Sequence, residues 1–187
     1  MWLQVRTSRL RSLARLVQDR AGVAATEFAI VAPVLILLFV GVFQLTDGMS
    51  ASRKVTVTAR TLADLTSQYT SVSSTTLETI LHVSSYVMSP YAPDSGTYSL
   101  AAVTTDTAGV SRVTWSRKLV NGTTAAGKPV GSIVTLPSSA AVPGTMIIVA
   151  DVTYAYKPVI APGLFGEFQL GEQIFMMPRR SSSIPLE

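Results

Sequence analysis

The longest unbroken apolar stretch of the chain runs from Phe28 to Phe43, with no charged or strongly polar side chain in it. Counted from the small residues at Val23 and ended at Leu45, it would form a helix roughly 34 Å long at about 1.5 Å per residue. A bilayer's hydrocarbon core is about 30 Å thick, so the segment is long enough to span. Pro33 falls inside it. Proline removes one helix hydrogen bond and predicts a kink or loosening about one turn earlier, which membrane helices tolerate where neighbours re-satisfy the freed carbonyl. Asp47-Gly48 should weaken the helix where it leaves the lipid. Beyond that point Val55, Ala59, Leu62, Leu65 and Tyr69 recur at helical spacing, which predicts a continuation over about 50–68 whose stripe packs on a globular domain.

After a Ser/Thr loop at 70–74, Thr75-Thr76-Leu77-Glu78 reads as a capping box opening a second helix. Leu77, Ile80, Leu81, Val87 and Met88 continue one apolar face until Pro90 stops it, and His82 lies on the opposite face. From Thr97 the period changes to two. Tyr98, Leu100 and Ala102 alternate with smaller or polar neighbours, Asp106-Thr107-Ala108-Gly109 supplies a turn, and 110–118 returns as the second strand of a hairpin. Val113 and Trp115 are expected on one face of that strand, Arg112 and Thr114 on the other. Residues 121–144 are rich in Gly, Ser, Thr, Ala and Pro and read as a long connection. Residues 145–156 form the strongest strand signal. Ile148, Ala150, Val152, Tyr154 and Tyr156 share one face, and Ile147 and Val149 make the other face apolar near its start, so this strand is expected in the sheet interior. Residues 167–177 read as a last strand, and the Ser-rich segment after Pro178-Arg179-Arg180 as loose. The fold class is α+β: a long helix continuing as a spine, a short helix and an antiparallel sheet of about four strands, arranged as in pilins.

Charge changes the picture at the N-terminus. Residues 1–22 hold five arginines (Arg6, Arg9, Arg11, Arg15 and Arg20) against Asp19, an excess equal to the whole chain's net charge of +4, so the remainder is neutral. The remainder offers no basic patch of the kind a nucleic-acid surface requires. Leu10, Leu13, Leu16 and Val17 sit at helical spacing among the arginines. They fit the charged region of an export signal, or an amphipathic helix lying on anionic lipid. The basic excess precedes the span, whereas Asp47, Arg53 and Lys54 follow it. This asymmetry predicts a cytoplasmic N-terminus and an extracytoplasmic domain from about residue 70. About 140 residues beyond the span suffice for one domain with its own core. The chain has no cysteine, which excludes disulfides, thiol nucleophiles and zinc–thiolate sites. One histidine without cysteine argues against a metal centre or a histidine-based triad. Asn121-Gly122-Thr123 is formally a glycosylation acceptor; beside this leader it is given little weight.

Glu27 is the anomaly. A charge at mid-bilayer costs roughly 2.5–3.5 kcal/mol on insertion scales, less near a helix end, and asks for a partner. It follows Arg20-Ala21-Gly22-Val23-Ala24-Ala25-Thr26, so a basic leader ends at a glycine and one carboxylate stands five residues on. This arrangement resembles the processing site of type IV pilin-like proteins, and most closely the TadE-like pseudopilins of the bacterial tight-adherence (Tad, or Flp) pilus system, where an aromatic residue follows the glutamate, as Phe28 does here. The resemblance implies that a prepilin peptidase cuts between Gly22 and Val23, that Glu27 is the fifth mature residue, and that Glu27 and Phe28 belong to a subunit-pairing and processing motif. Val113-Thr114-Trp115-Ser116-Arg117, the Pro143-Gly144 before the strong strand, and Met177-Pro178-Arg179-Arg180-Ser181 resemble TadE-like extracellular domains more weakly. The run after the span lacks a second feature separating TadE-like from TadF-like or TadG-like relatives. TadG-like proteins are usually larger.

The resulting division is a leader over 1–22, a transmembrane helix over 23–46, a helical extension over 47–69 and an extracytoplasmic domain over 70–187. The resemblance implies a pseudopilin or minor pilin in the bacterial inner membrane, possessing lipid, the prepilin peptidase, other pilins or pseudopilins and pilus assembly proteins as partners, in a homo- or hetero-oligomer. An alternative is an uncleaved bitopic envelope protein acting as an anchor or interaction module. An ordinary secreted domain, cut near Gly48-Met49-Ser50, is disfavoured because the apolar run exceeds the usual 7–15 residues of a signal. No nucleophile elbow, metal cluster or phosphate loop stands out. The expectation is therefore no enzymatic activity, no cofactor and no nucleic-acid partner.

Overall fold

A computed structural model describes residues 21–160 and 166–187. The expectation for the leader over residues 1–20 lies outside them. The chain divides into two compact units, Met1–Leu45 and Thr46–Glu187.

Helix α1, Ala21–Ser67, contributes to both units. It holds 47 residues, or roughly 70 Å at about 1.5 Å per residue. In the first unit nearly every side chain is exposed all round the helix, including Ile30, Leu35, Leu38 and Phe39. A helix apolar on every side and covered on none suits hydrocarbon rather than water. Among the described residues it is long and apolar enough to cross a membrane. It stays helical through Pro33 and through Asp47-Gly48. The weakening expected at Asp47-Gly48 does not interrupt it.

In the second unit α1 changes character. Ala51, Val55, Ala59 and Leu62 are buried on one stripe, while Arg53, Val57 and Arg60 face out. Tyr69, expected on the stripe, is exposed because the helix has already ended at Ser67. Helix α2 spans Ser74–Ser85, and its cap is Ser73, whose Oγ accepts the Thr76 N–H at 3.1 Å. The expected Thr75–Glu78 box is thus displaced by two residues. Leu77, Ile80 and Leu81 of α2 and Met88 beyond it are buried.

The sheet is antiparallel with five strands, in the order β3-β2-β1-β4-β5. They are β1 (Gly96–Thr105), β2 (Ser111–Val120), β3 (Thr123–Ala126), β4 (Met146–Tyr156) and β5 (Phe168–Met176). The fifth strand, against the four expected, is β3, a short and mostly exposed edge inside the long connection. At the β1–β2 turn Asp106 Oδ1 accepts the N–H groups of Ala108 and Val110, both at 2.9 Å, and Gly109 takes φ +82. That left-handed value suits glycine, which has no Cβ to clash.

The main core joins the α1 stripe and α2 to Tyr98, Leu100, Trp115, Leu119, Ile148, Ala150 and Val152. A second cluster holds Ala101, Val103, Val113, Ala140, Ile147 and Val149, with Val134 and Leu136 packed on it from the long connection. β4 is therefore apolar on both faces near its start and lies inside the sheet. Val113 and Trp115 fall into different clusters, against expectation. The register jumps between Ala102 and Val103, where Ala102 pairs with Trp115 but Val103 pairs with Val113. Thr114 is the extra residue of a β-bulge, which reverses the alternation.

The segment after Pro178 is fastened rather than loose. Trp115 Nε1 donates to the Ile184 carbonyl at 2.7 Å. The Val72 N–H donates to the Pro185 carbonyl at 3.0 Å and the Glu187 N–H to the Val72 carbonyl at 2.9 Å. Arg179 donates its N–H to the Ser67 carbonyl at 2.9 Å and pairs with Asp64 at 2.7 Å. Ile184 is fully buried. Replacing Ile184 by Ala should cost about 2–5 kcal/mol, the range for emptying a core aliphatic site. Ser182→Ala, at an exposed position of the same segment, should change little. Denaturant unfolding of the solubilised protein compares the two, and equal stabilities would mean that the segment is not held.

Candidate functional site

Two parts of α1 carry chemistry. The first is its beginning. Gly22 and Val23 lie in the opening turns, and the Thr26 hydroxyl donates to the Val23 carbonyl at 2.8 Å. Glu27 is exposed, Phe28 is 69% exposed, and no ion pair among the described residues involves Glu27. Residues four apart share a helix face, so Glu27 stands one turn above Val23. A Cβ built on Gly22 would meet nothing within 4 Å, and its φ is not in the left-handed region. The fold itself makes no demand for glycine there. Pro33, like Glu27, sits on the exposed apolar helix, where its ring leaves the Ala29 carbonyl without its usual partner.

The second part is where the domain begins. Asp47 is seated by two tyrosines. The Tyr156 hydroxyl donates to Oδ2 at 2.5 Å, and the Tyr91 hydroxyl lies 2.9 Å from Oδ1 and 3.0 Å from the Asp47 carbonyl. The Tyr91 ring meets those of Tyr154 and Tyr156 edge-on, with centroids 6.2 and 6.3 Å apart. The bonded carboxylate lets a normally helix-weakening Asp-Gly pair stay helical. Burial, then the Asp47 carboxylate, push the Tyr91 phenol up to about 12 and move Tyr156 the same way. Burial also raises Tyr98, whose hydroxyl donates to the Pro93 carbonyl at 2.9 Å.

The structure brings Gly22, Val23, Glu27 and Phe28 onto consecutive turns of one exposed helix. Sequence reasoning missed the Asp47 seat. The available signal was Tyr156 on the inward face of β4, because a buried phenol needs a hydrogen-bond partner. Among the described residues no group of three or more His, Asp or Glu gathers where it could hold a metal.

This geometry defines a class: an α+β domain carried on a single apolar helix that is suited to a membrane. Comparison with known families narrows it, since residues 22–64 match the family described as TadE-like protein. The match begins at the glycine, includes Glu27 and Phe28, and ends three residues before α1 does. Over that segment the chain is similar to TadE-like proteins. No curated protein and no solved structure matches the chain.

The tyrosine seat gives a pH dependence. Unfolded tyrosine loses its proton near 10, whereas folded Tyr91 keeps it to about 12. Over that interval the folded state binds more protons, so its stability is complete below about pH 10 and falls as pH rises toward 12. Asp47→Asn removes the carboxylate's upward push and leaves burial and the neighbouring Tyr154. Tyrosinate absorbance should then develop at lower pH in the folded variant than in the parent. Superimposable titrations would show that the carboxylate does not act on these phenols.

Proposed function

We propose that the protein is a pseudopilin or minor pilin of a Tad/Flp-type pilus apparatus, held in the bacterial inner membrane by α1 with its N-terminus cytoplasmic and its α+β domain outside. It acts as a structural component and not as an enzyme. The observation that carries this reading is the TadE-like match over residues 22–64, which coincides with an all-round apolar helix bearing one carboxylate that has no ion pair among the described residues. The space around Gly22 supports a processing role, since the fold would accept a side chain there.

The mechanism is electrostatic. A cut between Gly22 and Val23 exposes an amine with a reference pKa of about 7.7–8.0, largely cationic near neutral pH. In an assembly, Glu27 of one subunit meets that amine on its neighbour. Each group loses the cost of standing alone in low dielectric, and a shifted register leaves both unpaired. Phe28 adds apolar surface next to the pair, and the kink or loosening at Pro33 gives the helix room to adapt to its neighbours.

Processing is tested by intact mass of the protein recovered from membranes of cells carrying the peptidase. The chain should begin Val-Ala-Ala-Thr-Glu, and Gly22→Lys should leave it uncut although the domain still folds. A full-length wild-type chain, or one beginning near Ala51, would overturn the assignment.

Pairing is tested by Glu27→Gln, which keeps shape and removes charge. Insertion should be intact or slightly better, because the desolvation cost falls. Incorporation into the pilus or its assembly complex should drop sharply, since an unpaired buried amine costs on the order of 3–5 kcal/mol. Wild-type incorporation would remove the pairing account. If the defect persists undiminished in a Gly22→Lys background that still joins the complex, Glu27 has a different partner and the uncleaved anchor is the better reading.

A further inference from the structure

The end of β4 and the start of β5 stand beside the first turn of the domain's part of α1. β4 finishes at Tyr156, whose hydroxyl is bonded to Asp47. Asp47 is two residues past Leu45, where the apolar unit ends. The end of β4 is therefore fastened to the first turn of helix after the lipid-compatible segment. Phe168, the first residue of β5, is registered opposite Tyr156 and so begins at the same level. Val159 is three residues beyond Tyr156, within about 10 Å of it along an extended chain.

Both residues are open to their surroundings, although Phe168, opposite Tyr156, lies on the face of the sheet that α1 covers. Val159 is 75% exposed and Phe168 is 50% exposed. The charges beside them are already matched, because Lys157 pairs with Glu167 at 2.9 Å across the base of the connection. Tyr91 and Tyr156, apolar rings with polar tips, stand on Asp47 at this level, the kind of side chain that collects where hydrocarbon meets water. A scattered exposed Val or Phe needs no explanation on a water-facing surface. Here they flank Tyr156, which is bonded to Asp47, two residues along the chain from the end of the apolar segment.

We propose that Val159 and Phe168, at the two described ends of the β4–β5 connection, make a second membrane contact by entering the boundary between headgroups and acyl chains. The occupant of this surface is lipid, and the contact would hold the base of the domain down on the bilayer. The proposal rests on α1 spanning the membrane.

The absence of cysteine from the chain makes the test direct. Single variants V159C and F168C are labelled with an environment-sensitive fluorophore in the full-length protein, reconstituted into phosphatidylethanolamine–phosphatidylglycerol vesicles. Two controls accompany them: V34C inside the span, and V130C, 74% exposed in the long connection near the start of β2, where Gly131 bonds Val113. Labels at 159 and 168 should be quenched severalfold more by shallow nitroxide lipids than the label at 130, and severalfold less by aqueous iodide. If 34 is lipid-protected while 159 and 168 behave like 130, the contact does not exist although the span does. If 34 is also open to iodide, the span itself is wrong and the contact falls with it. Protection at 159 and 168 that fades as protein is diluted in lipid would assign the surface to a second copy of the chain and overturn the lipid assignment.

Discussion

A single hydrogen-bonded helix has to satisfy two solvents. In hydrocarbon every backbone N–H and C=O must be bonded within the segment, because nothing outside can replace a lost partner. In the domain the same helix must offer one apolar stripe and one wet face. The change of rule happens within a few residues of α1, between Leu45, exposed and apolar, and Ala51, fully buried. There the backbone is least protected by composition, since Asp47-Gly48 combines a helix-competing side chain with a flexible residue. The ladder persists there because Tyr91 and Tyr156 occupy the Asp47 carboxylate, which would otherwise compete for backbone N–H groups.

That same bond organises what lies around it. It gives the inward phenol of β4 a partner, so an 11-residue strand can end on a polar group without leaving a buried hydroxyl unsatisfied. It draws Tyr91, in the turn after α2, against Tyr154 and Tyr156. At the other end of α1 the arrangement is different in kind. Ser67 and Asp64 are met by Arg179, and Val72 by the backbone of 185–187. The domain's part of the helix is thus pinned by side-chain hydrogen bonds near its start and by main-chain pairing and an ion pair near its finish.

The parts legible in the sequence were those with a long period. The spanning helix, its continuation, the β1–β2 hairpin and the two-faced β4 each repeat a pattern over ten or more residues, and the TadE-like segment rests on the clearest of them. What escaped was decided by single residues or by the tertiary fold. β3 is two threonines and two alanines on an edge, with no alternation to detect. The α2 cap could be any member of Ser73-Ser74-Thr75-Thr76, and packing chose Ser73. The bulge at Thr114 is invisible to a count by twos. The last segment is fastened by one buried side chain, Ile184, by the Arg179–Asp64 pair and by main-chain bonds, none of which leaves a periodic pattern. Asp47 was read for what it does to an isolated helix, whereas its bonds come from tyrosines 44 and 109 residues away.

The Trp115–Ile184 contact closes across 69 residues, and such non-local closures come late in folding. In a chain synthesised from its N-terminus, α1, α2 and the β1–β2 hairpin all emerge before Ile184 does. Until then the indole N–H has no acceptor, the main-chain groups of Val72 are unpaired, and the largest side chain of the core lies open on one side. The domain is thus assembled early and sealed late, and the interval between is when its apolar interior is most available to neighbouring chains.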